Sequence, residues 1–220
     1  MLIHNGLGND RGFSLVELLV ASMVTMVVLG GAVALTSQMQ VGYRRQIEQS
    51  AAEQEGRYAL DWVSRLIRAA GNNPYNLATS ACPAAGTPYA AIVFDPDGDT
   101  IDDDIRLQTD SNPPDGLLGG PDGACTQANE DVTVSLDHGA NSITFLDNNI
   151  GGLATIRTDA VIEDLRFIYR DVARNVTTNP LNVVYVETQV TIRTRTINAA
   201  TGAPVTRVLS QEVRIRGRNY

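Results

Sequence analysis

Lysine is absent from the 220 residues, so all 17 basic side chains are arginine. That excludes Schiff-base chemistry and the phosphate-binding lysine of a P-loop. Histidine is nearly absent too: His4 lies close to the N-terminus, and His138 falls within a turn-like stretch, so no histidine-based metal site is expected. His138 can be combined with Asp137 and a serine on paper, but no nucleophile motif surrounds it, and adjacent residues on a strand point apart. The chain therefore does not read as an enzyme. Aromatic residues make up only 5% of the chain, which leaves little for stacking on nucleobases. No proline occurs before Pro74, and no charge occurs from Leu18 to Leu35.

The uncharged run is the main positive feature. Eighteen residues at about 1.5 Å each approach the ~30 Å hydrocarbon core of a bilayer, and Phe13 to Val16 extend the run. A membrane-spanning helix is the direct reading. Ala32-Val33-Ala34 imitates a signal-peptidase site, but Asp10 beside Arg11, the length of the run and Glu17 near its start all count against a secretory signal. An ionisable group at that depth costs about 2.5–3.5 kcal/mol on insertion scales, so Glu17 is a functional residue by default.

The segment Arg11-Gly12-Phe13-Ser14-Leu15-Val16-Glu17-Leu18-Leu19-Val20-Ala21 closely resembles the processing and methylation motif of type IV pilins and type II secretion pseudopilins. The resemblance implies cleavage by prepilin peptidase between Gly12 and Phe13, N-methylation of Phe13, and a requirement for Glu17 in assembly. It implies a cleaved leader (1–12) and a transmembrane or filament-core helix (13–37); the residue pattern beyond adds an amphipathic continuation (38–70) and a β-rich head (71–220) with an acidic loop at 95–131. The implied partners are the peptidase, other major and minor pilins, an inner-membrane assembly platform, and membrane lipid before assembly. The implied location is the inner membrane, with a periplasmic head, and then the pilus or cell surface.

Charge chemistry supports the same picture. Cleavage would create a cationic amine at Phe13 while Glu17 keeps a carboxylate in a nearly dry setting. An unpaired buried charge is expensive, and a partner's charge relieves it. If helices stack with a stagger, Glu17 of one subunit meets the Phe13 amine of the next; the competing role for Glu17 is an anchor that snorkels to the headgroups. Gly30-Gly31 is the expected soft spot of the helix, or else a close helix–helix contact. The absence of lysine removes the isopeptide cross-links of one class of covalent pili, so such a filament would be held by non-covalent packing.

Beyond Gln38 the pairs Tyr58/Ala59, Trp62/Val63, Leu66/Ile67 and Ala69/Ala70 recur at helical spacing. Gly71-Asn72-Asn73-Pro74 is a stop signal. One helix is predicted from Phe13 to Ala70, with Trp62 in its packing stripe. Strands are predicted at 91–94, 105–108, 132–136 and 142–146, with Asp137 to Asn141 connecting the last two. Ile162, Leu165, Phe167 and Tyr169 precede a closing hairpin in which Val184, Val186, Val190 and Ile192, then Leu209, Val213 and Ile215, face inward. The fold class is α+β, a long N-terminal helix on an antiparallel sheet. This closing element and the ending Val213-Arg214-Ile215-Arg216-Gly217-Arg218-Asn219 resemble PilW-type minor pilins; the J-type minor pseudopilin has a similar plan.

The formal charge of −8 is uneven. Asp95 to Asp137 holds twelve acids against Arg106 alone, whereas ten arginines face six acids from Arg157 onward. Arg193, Arg195, Arg214, Arg216 and Arg218 would form a basic stripe across adjacent strands, the basis of a DNA-contacting or adhesive tip; a solvated strand face is the plainer reading, and the acidic loop opposes a polyanion. Cys82 and Cys125 are expected to form a disulfide in a periplasmic or external head, closing about 44 residues and worth roughly 4 kcal/mol in the chain-entropy model. Two buried free thiols are the alternative.

Asp95-Pro96-Asp97-Gly98-Asp99-Thr100-Ile101-Asp102-Asp103-Asp104 places carboxylates at alternating positions around a glycine. It is not an EF-hand. It is similar to the Asp-x-Asp-Gly-Asp loops of dockerin and thrombospondin type 3 repeats, and that likeness implies calcium ligands at Asp95, Asp97, Asp99, the Ile101 carbonyl and Asp103, with Thr100 departing from the usual glycine. Asp110, Asn112 and Asp115 would make a second, degraded site. The alternative is a solvated acidic loop without metal. No other cofactor is implied.

Overall fold

The computed structural model describes residues 12–76, 78–80, 87–111, 114–116, 118, 125–197 and 202–216. Helix α1 runs Leu15–Ala69. Ser14 caps its start: its hydroxyl accepts the Val16 N–H at 3.3 Å and its carbonyl accepts the Leu18 N–H at 3.1 Å. The end follows the stop signal. Gly71 takes φ 76°, a conformation easy only for glycine, and its N–H leaves the helix to reach the Gln108 carbonyl at 2.9 Å.

The chain divides into two compact units between Ile47 and Glu48, inside α1. The described residues of the first unit are solvent-exposed helix and its short lead-in. Gly30 and Gly31 do not interrupt the helix, and a Cβ at either would meet nothing within 4 Å. Ser22, Thr25 and Thr36 each donate their hydroxyl to a carbonyl three or four residues back, at 2.8 Å. Their polar atoms are thereby satisfied within the helix, as an apolar surrounding requires.

In the second unit the helix buries Ala52, Gly56, Ala59, Leu60, Val63, Ser64 and Ile67. These steps of three and four residues match the predicted stripe, although only one member of most predicted pairs is fully covered. Tyr58 is exposed, while Trp62 and Leu66 are half-buried. The strands follow in three groups. β1 (Thr79–Ser80) and β2 (Thr87–Pro88) form a small ribbon. β3 (Ile92–Phe94), β4 (Asp104–Gln108), β5 (Asp131–Asp137), β6 (Ser142–Asp147) and β7 (Thr155–Ile156) make an antiparallel meander in sequence order. β8 (Ile162–Arg170), β9 (Tyr185–Ile197) and β10 (Pro204–Arg214) make a second antiparallel sheet with β9 in the middle.

One core joins helix and sheets. Val63 and Ile67 of α1 belong to the same buried cluster as Ile105, Leu107, Val134 and Ile143 of the meander and Leu165, Phe167, Val186 and Val190 of the second sheet. Each such aliphatic side chain contributes about 1.5–3 kcal/mol on burial. Trp62 meets Phe145 edge-on at 5.7 Å, so the tryptophan packs as expected. Phe94 of β3 stacks on Tyr169 of β8 at 3.7 Å, and the Phe167 N–H donates to the Asp102 carbonyl at 2.9 Å, tying one sheet to the other. Helix and sheet approach closely at Gly56, where a Cβ would stand 2.7 Å from Leu209 Cδ1 and 2.8 Å from Ile192 Cγ2.

Arg106, the lone base of the acidic segment, has a structural explanation. Its guanidinium donates twice to the fully buried Asp131 carboxylate, at 2.7 and 2.6 Å, from the neighbouring strand. Gln108 Nε2 and Asn148 Nδ2 donate to the same carboxylate at 2.8 Å each. Four donors thus compensate a charge that burial alone would penalise by several kcal/mol.

Candidate assembly segment and acidic loop

Gly12, Phe13 and Ser14 precede the helix as exposed chain, so the Gly12–Phe13 bond lies outside hydrogen-bonded structure and is open to a protease. Glu17 is in the first helical turn, three residues after the Ser14 cap, where the helix dipole favours a carboxylate. A large apolar surface surrounds it. Phe13, Leu15, Met26 and Val27 are each more than 70% exposed, as are other side chains of the run to a lesser degree. α1 is long and apolar enough to cross a membrane, and no residue of the window that qualifies is buried within the chain. Monomeric soluble proteins rarely leave so much contiguous apolar surface uncovered. The helix is built to be covered by lipid or by other helices.

The acidic loop closes the β3–β4 hairpin. Asp95 (φ 43°), Gly98 (φ 78°) and Thr100 (φ 72°) are all left-handed, and the loop carboxylates hold these turns. Asp95 Oδ1 accepts the N–H groups of Gly98 and Asp99 at 2.9 and 3.0 Å, and its Oδ2 accepts that of Thr100 at 3.0 Å. Asp99 accepts the Ile101 N–H at 2.8 Å. Asp103 turns away to pair with His138 Nε2 at 2.8 Å. The carboxylates that converge are Asp95, Asp97 and Asp104, whose nearest oxygens lie within 4.8 Å of one another. Two of the five predicted calcium ligands are thus in the cluster, and Asp104 stands where Asp99 and Asp103 were expected. The register explains it. Phe94 pairs with Ile105, so Asp95 and Asp104 are the next residues facing each other across the hairpin.

Electrostatics mark the same place. Burial, then the charge of Asp97, pushes the Asp104 carboxyl up to about 7, although the Asp97 N–H donates to it. Burial also raises Asp103, and here it outweighs the pairing with His138. The Tyr169 phenol is pushed upward by burial and by the negative charges of Asp102, Asp104 and Asp95. Sequence reading passed over Tyr169 because it sits in the alternating apolar pattern of β8. Asp104 was detectable from the hairpin register, since the residues closing an antiparallel pair face one another.

Other expected residues have structural duties or lie elsewhere. Asp110 is fully buried and accepts the N–H groups of Asp115 and Gly116 at 3.1 and 2.9 Å, while Asp115 accepts Gln127 Nε2 at 2.7 Å. Their carboxylates latch a loop, and Asn112 lies outside the described residues. Cys125 is half-buried at φ 49° and is not a free thiol; Cys82 lies outside the described residues. Asp137 accepts the N–H groups of Gly139 and Ala140, so the His138 ring is partnered by Asp103 and not by its neighbour. The arginine stripe is split by the strand register: Arg193 pairs with Thr206, whereas Arg214 pairs with Tyr185 at the opposite end of the ribbon. Those positions are about 26 Å apart along β9 at 3.3 Å per residue. Arg218 lies outside the described residues.

A protein family described as the prokaryotic N-terminal methylation motif matches residues 7–33. No curated protein and no solved structure matches the chain. The matched span contains Gly12, Phe13, Glu17 and most of the exposed apolar helix. It supports a type IV pilin-like or pseudopilin-like protein, structural in role, anchored by its N-terminal helix. It also implies processing by prepilin peptidase and assembly with other pilin-like subunits.

Proposed function

We propose that the chain is a minor pilin of a type IV pilus, most like the PilW type, which primes or caps the filament. The observation that carries this reading is a methylation-motif segment whose apolar helical residues are all left exposed, with one carboxylate in the first turn. Cleavage after Gly12 exposes the Phe13 amine. That positive charge stands at the positive end of the helix dipole, where it is disfavoured until a carboxylate approaches. Glu17 of an adjacent, staggered subunit supplies the carboxylate. Pairing in low dielectric rewards one axial register, and burial of the apolar flanks provides most of the association energy. The head stays in the periplasm until assembly, where a Cys82–Cys125 disulfide closes the segment that includes the acidic loop.

The test is genetic and biochemical together. Deleting the gene should abolish or reduce surface fibres, and Glu17→Ala should still be cleaved yet fail to enter filaments. If deletion spares fibres and instead blocks export of folded enzymes, the protein is a minor pseudopilin of type II secretion. Normal incorporation of Glu17→Ala would remove the charge-pairing mechanism.

A further inference from the structure

We propose that Asp95, Asp97 and Asp104 bind one hard divalent cation of the calcium class at the closed end of the β3–β4 hairpin, with the Tyr169 hydroxyl facing the ion from β8. The carboxylate geometry is suitable. Oxygens held at about 2.3–2.6 Å from one calcium stand no more than about 5 Å apart, and the three carboxylates meet that limit. Carboxylates alone are not a site, because exposed acids are common. Two buried polar atoms on separate strands make the difference.

Asp104 is 2% exposed, and its Oδ1 has no hydrogen-bond partner among the described residues. Tyr169 is 5% exposed, and its hydroxyl also lacks a partner among them. The charges acting on that hydroxyl are Asp102, Asp104 and Asp95, the loop itself. A buried phenol and a buried carboxylate oxygen, each without a hydrogen-bond partner among the described residues, forfeit the bonds that water would give them. A cation with its remaining water ligands satisfies both: carboxylate oxygens bind the metal directly, and the phenol donates to a metal-bound water or carboxylate oxygen.

The capacity of each ligand fits. Asp97 Oδ1 accepts only the Asp99 N–H, at 3.1 Å, and Asp104 Oδ2 accepts only the Asp97 N–H, at 3.3 Å, among the described residues. Asp95 uses three of its roughly four lone-pair sites on the loop backbone and keeps one. Three carboxylates against a double positive charge neutralise most of the local repulsion. The loop is thereby held against β8, where Phe94 already stacks on Tyr169. This inference rests on the head alone and does not depend on the filament reading.

The experiment uses the full chain in detergent, stripped with chelator, then titrated with calcium by calorimetry and melted with and without roughly millimolar calcium. Binding of one ion per chain and a calcium-dependent rise in melting temperature are expected. Asp97→Asn should abolish both and should not lower the metal-free melting temperature, because it removes the charge that acts most strongly on buried Asp104. Asp104→Asn should abolish both and raise the metal-free melting temperature, because it removes a desolvated charge from among like charges. Magnesium, which demands octahedral ligands at about 2.0–2.1 Å, should give a smaller rise. No heat and no rise in the unmutated chain overturns the proposal, as does a calcium response that survives either substitution; an equal response to magnesium overturns the assignment to calcium.

Discussion

Gly56→Ala sets two known effects against each other inside α1. Replacing a helical glycine by alanine ordinarily stabilises by about 0.5–1 kcal/mol. Here the added methyl would stand 2.7 Å from Leu209 Cδ1 and 2.8 Å from Ile192 Cγ2, against ordinary carbon contacts of about 3.5–4.0 Å. Each neighbour would have to retreat by close to 1 Å. Leu209 is half-buried on the edge strand β10 and can swing. Ile192 cannot easily do so: it is 3% exposed in the central strand, and β-branching fixes its first torsion. Overpacking of this kind costs about 1–3 kcal/mol, so the net effect should be a loss of about 1–2 kcal/mol. For a head of this size that lowers the melting temperature by about 4 °C. Thermal unfolding followed by circular dichroism is the assay, with Gly42→Ala as control because a Cβ there meets nothing within 4 Å. Combining Gly56→Ala with Leu209→Ala should give a loss smaller than the sum, a coupling of about 1 kcal/mol. A Gly56→Ala protein as stable as the parent would refute the close docking of helix on the β9–β10 ribbon.

Asp131→Ala should cost about 3–5 kcal/mol, since it strands the Arg106 guanidinium and the Gln108 amide inside the sheet; a loss below 1 kcal/mol in a urea titration would contradict the network. Glu187 is held below the usual carboxylate range by hydrogen bonds from Arg170 and then Gln189. Its contribution is therefore full above the unfolded value near pH 4.3 and is lost as pH falls through the lower folded value, so acid unfolding of Glu187→Gln should lack that part of the decline. Cys125→Ser, or reductant, should destabilise the head by about 4 kcal/mol if the disulfide closes the loop; a melting temperature indifferent to reductant would refute the pairing.

How much of this was readable in the chain depends on the range of the interaction. The helix end at Gly71 is local chemistry, and the structure stops the helix within a residue of the prediction. Short runs bounded by Asp, Asn and Gly marked β4, β5 and β6, and the apolar spacing of Ile162, Leu165, Phe167 and Tyr169 marked β8, each to within a residue or two at its ends. The ribbon β1–β2 and the two-residue β7 carry too few residues for any period to register. Gly56 was invisible because a lone helical glycine announces nothing until a facing strand is placed against it. In the acidic loop, Asp104 is brought beside Asp95 and Asp97 by the hairpin register, and Asp103 is drawn to His138, which only the folded loop decides. The arginine stripe failed for a related reason, since strand register, not sequence proximity, sets which side chains are neighbours.

The central claim is that this chain is trimmed to an aminoterminal phenylalanine before its helix is buried among others. Mass spectrometry of the intact protein recovered from sheared surface fibres tests it most directly. The account predicts a chain beginning at Phe13 and carrying one N-methyl group. Fibres containing a chain that retains Met1, or one that begins at Leu35 after signal-peptidase cleavage, would contradict it.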